Sequence, residues 1–254
     1  MRASLEVGRR AVAVVVSCAG LVAGAIACGT AQLSPSAAAA RATQSEGPLA
    51  GMTAGQIARR AIADLAAVSS VHVAGSTGQD GQTAVLDVAS GAKGCRETLR
   101  IPGQGTSAVL EIGTTVWFKP SSQMWKWMAY GVPAAARRHL EGKYLQTPDV
   151  PAGMAAGCSP GELASAFGGE LKDLVKGKIT TIAGQPALQL VGKRHSTSAY
   201  VTISARPEFL RIDVRGQEHE VFTGYNRPLT LTPPPADQTV STAQLRALGA
   251  RAPG

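Results

Sequence analysis

The sequence predicts an α+β fold built on one large antiparallel sheet, and three observations carry that prediction. Short stretches with period-two alternation recur along the chain, joined by connections too short for parallel crossovers. Two longer stretches carry apolar residues at helical spacing, one near the start of the ordered region and one between two runs of strands. Composition agrees. Of 254 residues, 44% are hydrophobic, 17% charged and only 4% aromatic, which suits a core of small β-branched and aliphatic side chains rather than disorder.

The chain opens with a positive segment containing Arg2, Arg9 and Arg10, followed by an apolar run from Ala11 to Ile26. Ala25-Ile26-Ala27-Cys28 closes that run with small residues directly before a cysteine, the layout of a lipoprotein signal over residues 1–27. On this reading Cys28 carries the lipid (a diacylglyceryl group, with palmitate as the expected acyl chemistry), and the chain is anchored on the outer face of the cell membrane. Two alternatives stay open at this point. Plain cleavage without lipidation is one, since Ala25 is a less usual residue at its position than leucine. A retained anchor is the other, although the run falls short of the about 20 apolar residues that a span needs. Val15-Val16-Ser17-Cys18 is a second lipobox-like string, which leaves an apolar region of only about seven residues before it, at the lower limit for a signal.

Loss of residues 1–27 removes three arginines and Glu6 and takes the formal charge from +8 to +6. The remaining Lys and Arg are scattered singly, which argues against a nucleic-acid partner and fits a solvated face or anionic head groups. Cys95 and Cys158 are left once Cys18 and Cys28 are assigned. In an oxidising compartment two cysteines pair most simply as a disulfide, with two buried thiols as the alternative. Neither has the near neighbour that a metal site requires, so no metal or other cofactor is expected.

Residues 28–50 are rich in Ala, Ser, Gly and Pro and read as a flexible tether. The domain is expected over 51–240. Thr53-Ala54-Gly55-Gln56 fits a capping box, and Ile57, Ala61, Leu65 and Val68 follow at helical spacing, giving a helix of about four turns. Strands are expected at 71–73, 83–88, 96–101, 107–112 and 115–119. Residues 121–130 and 133–140 look helical or irregular, and 161–174 reads as a helix with Leu163, Phe167, Leu171 and Leu174 on one side. Five more strands are expected at 178–182, 186–191, 198–204, 209–214 and 218–225. Pro228 and Pro233-Pro234-Pro235 then end the sheet, and 241–254 reads as a tail.

Catalytic motifs fail on context. Gly103-Gln104-Gly105-Thr106-Ser107-Ala108 has the letters of a dinucleotide fingerprint, but a strand follows where a helix should. Ser90-Gly91-Ala92-Lys93 has a serine–lysine spacing without its companion motifs, and no Gly-x-Ser-x-Gly elbow occurs. The four histidines make no helical pair, and Glu218-His219-Glu220 alternates across a strand. No catalytic residue is assigned, so the chain is read as not an enzyme. The densest cluster of large side chains is Trp117, Phe118, Trp125, Trp127 and Met128. It reads either as local core or as the wall or lid of an apolar cavity.

Several phrases occur together in order: Ser70-Val71-His72-Val73-Ala74-Gly75, Leu110-Glu111-Ile112-Gly113-Thr114-Thr115-Val116-Trp117-Phe118-Lys119, Gly142-Lys143-Tyr144, Ile179-Thr180-Thr181-Ile182-Ala183-Gly184-Gln185-Pro186-Ala187 and Phe222-Thr223-Gly224-Tyr225-Asn226-Arg227-Pro228. This ordering resembles actinobacterial lipoproteins of the LppX/LprG group and, more distantly, LolA/LolB-like lipoprotein carriers. The resemblance implies a strongly curved antiparallel sheet, a half-barrel with helices covering its concave face. It also implies an apolar cavity for a lipid or other amphiphile, with Trp117, Phe118, Trp125, Trp127 and Met128 as cavity wall or lid, in a chain expected to be a monomer. The rival expectations are a protein-interaction or envelope-structural role with a collapsed cavity, and a hydrolase with an unrecognised site.

Overall fold

A computed structural model of the chain describes residues 45–79, 82–128, 133–147, 158–171, 173–192, 197–214 and 218–247. The strands are β1 (Ser70–Gln79), β2 (Gln82–Gly91), β3 (Gly94–Ile101), β4 (Gly105–Ile112), β5 (Thr115–Pro120) and β6 (Tyr144–Thr147). They continue as β7 (Leu174–Ile182), β8 (Gln185–Gly192), β9 (Thr197–Thr202), β10 (Phe209–Val214), β11 (Glu218–Thr223) and β12 (Thr239–Ser241). All twelve form one curved, unclosed sheet in the order β12-β6-β5-β4-β3-β2-β1-β11-β10-β9-β8-β7. The α+β half-barrel expected from the sequence is therefore the fold. One departure from an all-antiparallel sheet occurs at the end: β12 pairs with β6 in parallel, Thr239 opposite Tyr144 and Ser241 opposite Gln146. The long excursion from β11 across the sheet brings the chain back in that direction.

Five α-helices accompany the sheet among the described residues: α1 (Ala54–Ala66), α2 (Ser122–Met128), α3 (Ala134–Leu140), α4 (Pro160–Glu170) and α5 (Thr242–Ala247). The start of α1 is fixed as its sequence requires. Gln56 N–H donates to Thr53 Oγ1 at 3.2 Å, and Thr53 N–H donates to Gln56 Oε1 at 2.7 Å. Its buried stripe is Ala54, Ile57, Ala58, Ala61 and Leu65. A second capping box, Ser159 with Glu162, starts α4 behind Pro160, which suits the first helical turn. This helix stops at Glu170, short of the Leu174 expected. Gly168 and Gly169 weaken its last turn, and Asp173 at φ 49° turns the chain into β7.

Helices α1 and α4 fill the concave face. Phe167 of α4 meets Phe222 of β11 edge-on at 5.2 Å, and Phe209 lies 5.7 Å from Phe222. At the free edge, a 3₁₀ turn (Gly47–Leu49) buries Leu49, and Lys176 Nζ of β7 binds the Glu46 carboxylate and the carbonyls of Leu49 and Ala50 at 2.9 and 3.2 Å. The ordered domain thus begins before residue 51. At the other edge, Trp125, Leu140, Leu145, Val240 and Leu245 form a separate small core. Residues 241–247, read from sequence as tail, are part of it through β12 and α5.

Candidate functional site

Strand register assigns each residue to a face. Val73, Val88, Glu97, Val109, Phe118 and Leu145 lie in one row across β1, β2, β3, β4, β5 and β6. The flanking rows on the same face hold Val71, Ser90, Cys95, Glu111 and Val116 on one side and Leu86, Leu99 and Ser107 on the other. This is the concave face, and it is mostly apolar and buried.

Three polar residues interrupt it. Ser90, Glu97 and Ser107 are 0%, 3% and 1% exposed, and they step diagonally across β2, β3 and β4. The hydroxyls of Ser90 and Ser107 meet no hydrogen-bonding partner among the described residues. A buried polar group left so costs about 1–3 kcal/mol, and alanine in its place would carry no such cost. The start of α4 is fixed beside this stripe. The expected disulfide is present between Cys95 of the floor and Cys158, two residues before α4, with Cα atoms 4.7 Å apart. Beyond Cys95 in the same row stands Glu111. Burial pushes its carboxyl above the usual range, and repulsion from Glu162 of α4 adds to the shift.

The residues singled out in the sequence do not converge on one wall. Phe118 is fully buried on the concave face. Trp117, its neighbour in the strand, points to the opposite face in a row with Arg96 and Leu110, where it is nonetheless buried. Trp125 belongs to the small core at the β6 edge, and its indole N–H has no partner among the described residues. Trp127 and Met128 close α2, and their side chains lie outside the described residues, as does Cys28. Sequence reasoning missed Ser90, Glu97 and Ser107. A signal existed for Glu97, because alternation places it on the same face as Cys95 and Leu99.

Among the described residues no group of His, Cys, Asp and Glu could hold a metal ion, and no helix is long and apolar enough to cross a membrane. Residues 102–104, including Gly103, form the turn between β3 and β4, and Ser90 is the penultimate residue of β2, in the floor. His219 projects toward Ser76 across the β1–β11 seam, 3.5 Å from its hydroxyl.

No family model and no curated protein matches the chain. Among solved structures, an uncharacterized conserved protein from Thermus thermophilus is similar over 74% of this chain and 98% of its own, at 18% identity and a TM-score of 0.35. MucB in the Pseudomonas aeruginosa MucA/MucB complex is similar over 73% of this chain and 59% of its own, at 16% identity and a TM-score of 0.31. A further MucB structure, in complex with MucA(peri), is similar over 74% and 61% at 14% identity, with a TM-score of 0.31. This chain therefore spans about three fifths of the MucB chains. No residue role carries across at that level of likeness. The class defined by the strand order and the covered face is a half-barrel, a curved, unclosed sheet whose concave face is mostly apolar.

Proposed function

We propose that the chain is a non-catalytic, lipid-anchored extracytoplasmic protein that binds an amphiphile between the concave sheet face and its helical cover. The observation that supports this is the polar diagonal of Ser90, Glu97 and Ser107 set into an otherwise apolar, covered floor. A floor serving only as core gains nothing from two hydroxyls without partners. A ligand's polar head, or water held beneath it, gives them partners. Its acyl part is held by apolar burial worth about 0.8 kcal/mol per CH₂. Entry displaces α4, with the Cys95–Cys158 bridge as the fixed point and Leu163 and Phe167 as the side chains that yield. The Ala25-Ile26-Ala27-Cys28 sequence supports the anchor.

A specific observation favours a second reading, a protein-interaction role with a permanently collapsed interior. Phe118, Phe209, Leu188 and Leu190 are fully buried and Phe222 is 2% exposed, so large side chains fill the floor at these positions. Native mass spectrometry of the full chain from its secretory host separates the two. Discrete added masses matching lipids, lost on solvent extraction and reduced in Ser90→Ala/Ser107→Ala, support the amphiphile reading. A clean mass, unchanged after incubation with host membrane lipids, refutes it and leaves the interaction role. The anchor has its own test. The parent chain should sediment with membranes and incorporate labelled palmitate, and Cys28→Ser should do neither.

A further inference from the structure

The outer face of the sheet carries a second candidate site. Between β11 and β12 residues 224–238 cross β1 to β6 as a strap. Its first turn is locked down. Asn226 N–H donates to Ser70 O at 2.9 Å, Asn226 Oδ1 accepts from Ser69 N–H at 2.9 Å, and Ser70 Oγ donates to Arg227 O at 2.5 Å. Tyr225 O–H donates to Phe209 O at 2.8 Å, and burial pushes its phenol far above the ordinary range. Residues 228–234 then make no hydrogen bond to the described residues. Leu229 dips onto β2 where Gly91 leaves room, its Cδ2 only 3.1 Å from where a Cβ would stand.

Two clefts open beneath the strap. The first, about 300 Å³, has Arg96, Arg227, His72 and Thr223 in its walls. The second, about 460 Å³, has Arg96 again with Asp87, Thr98, Tyr144, Thr230 and Thr232. Register puts Thr223, His72, Ala89 and Arg96 in one outward row, so Arg96 stands between the clefts. No described carboxylate pairs with either arginine, whereas Asp87 is already engaged by His72 Nε2 at 3.2 Å.

We propose that the two clefts form one binding site for a phosphorylated polyol or sugar. The phosphate sits in the first cleft between the guanidiniums of Arg96 and Arg227. Two planar donor forks approaching from separate elements suit a group with three or four acceptor oxygens better than a carboxylate with two. Hydroxyls of the ligand occupy the second cleft. Threonine and tyrosine hydroxyls there both donate and accept, and the Asp87 carboxylate accepts, while its charge keeps the phosphate on the arginine side. Ser90 and Glu97 of the floor also border the clefts, but the side chains that would hold the ligand, Arg96, Asp87 and Thr98, alternate onto the outward face of their strands, so the site is tested separately from the amphiphile reading.

The test is calorimetry on the full chain in non-ionic detergent at low ionic strength, with sn-glycerol 3-phosphate, inorganic phosphate and glycerol as probes. The expected result is one site that takes glycerol 3-phosphate more tightly than inorganic phosphate and ignores glycerol. Arg96→Gln should weaken both phosphates by about tenfold or more, and Thr98→Val should weaken glycerol 3-phosphate alone. Both positions are exposed, so the variants should keep the parent melting temperature. Competition by micelles containing phosphatidylglycerol, but not phosphatidylcholine, assigns the natural source to a lipid head group. Failure of both to compete, with glycerol 3-phosphate still bound, assigns it to a soluble phosphate. Silence with both phosphates at millimolar concentration, or unchanged binding in Arg96→Gln/Arg227→Gln, overturns the proposal.

Discussion

Reduction of the Cys95–Cys158 bridge should cost this domain a large share of its stability. The bridge spans 63 residues of sequence. On the chain-entropy account a loop of that size restrains the unfolded state by about 4 kcal/mol. Whole domains are stable by roughly 5–15 kcal/mol, so the loss is a large fraction of the total and still leaves a folded state to measure. The native contacts change little, because Cys95 and Cys158 remain buried in the same core as thiols. The assay is urea unfolding followed by tryptophan fluorescence, since Trp117 and Trp125 are both buried in the folded state. With a urea dependence of about 2–3 kcal/mol per molar, the midpoint should fall by between about 1.3 and 2 M on reduction, with little change in slope. The double variant Cys95→Ala/Cys158→Ala should behave like the reduced parent. A midpoint unmoved by complete reduction, verified by thiol titration, would refute the reasoning, because the loop would then not be what limits the unfolded chain.

Three further outcomes are expected. Phe167→Ala should destabilise by about 3–5 kcal/mol, read from the same urea curves, as it removes the edge contact with Phe222 and leaves a hole under the cover. Gly75→Ala should yield no folded protein by circular dichroism, because its Cβ would stand 1.9 Å from His219 O at the seam joining the two sets of strands, whereas Gly113→Ala, at φ 62° in open space, should cost only about 1–2 kcal/mol. Glu111→Gln should raise the melting temperature at pH 7. The folded-state pKa of Glu111 is raised, so the folded protein binds its proton more readily, and stability falls as pH rises from the ordinary glutamate range through the raised value. The advantage of the variant should therefore disappear below that range, and solvent screening holds it to about 1 kcal/mol or less.

Much of the local structure was legible in the sequence because it depends on near neighbours. Thr53 and Gln56 announce the start of α1, and the backbone there has no cheaper way to satisfy its free amides. Alternation marked ten of the strands, since a pleated chain half buried in a sheet must alternate. Counting cysteines made a Cys95–Cys158 bridge the simplest expectation, with two buried thiols as the alternative, and the bridge is present. Short strands with distant partners were not legible. Tyr144–Thr147 and Thr239–Ser241 are four and three residues long, too few to show a period; the first is held by antiparallel pairing with β5, and the second is a strand because the returning chain pairs it in parallel with the first. The division of Trp117 from Phe118 follows from alternation, but which face is interior is decided by where α1 and α4 pack.

The sequence by itself determined where the chain alternates and where its two capped helices start, because each rests on local geometry, and it made Cys95 and Cys158 the expected pair. Tertiary structure alone decided that α1 and α4 pack on the concave floor, that Ser90, Glu97 and Ser107 lie together in it, and that the segment after Asn226 bridges two clefts lined by Arg96. Those arrangements join residues up to about 150 positions apart. Register and packing set them, and no periodicity in the chain encodes either.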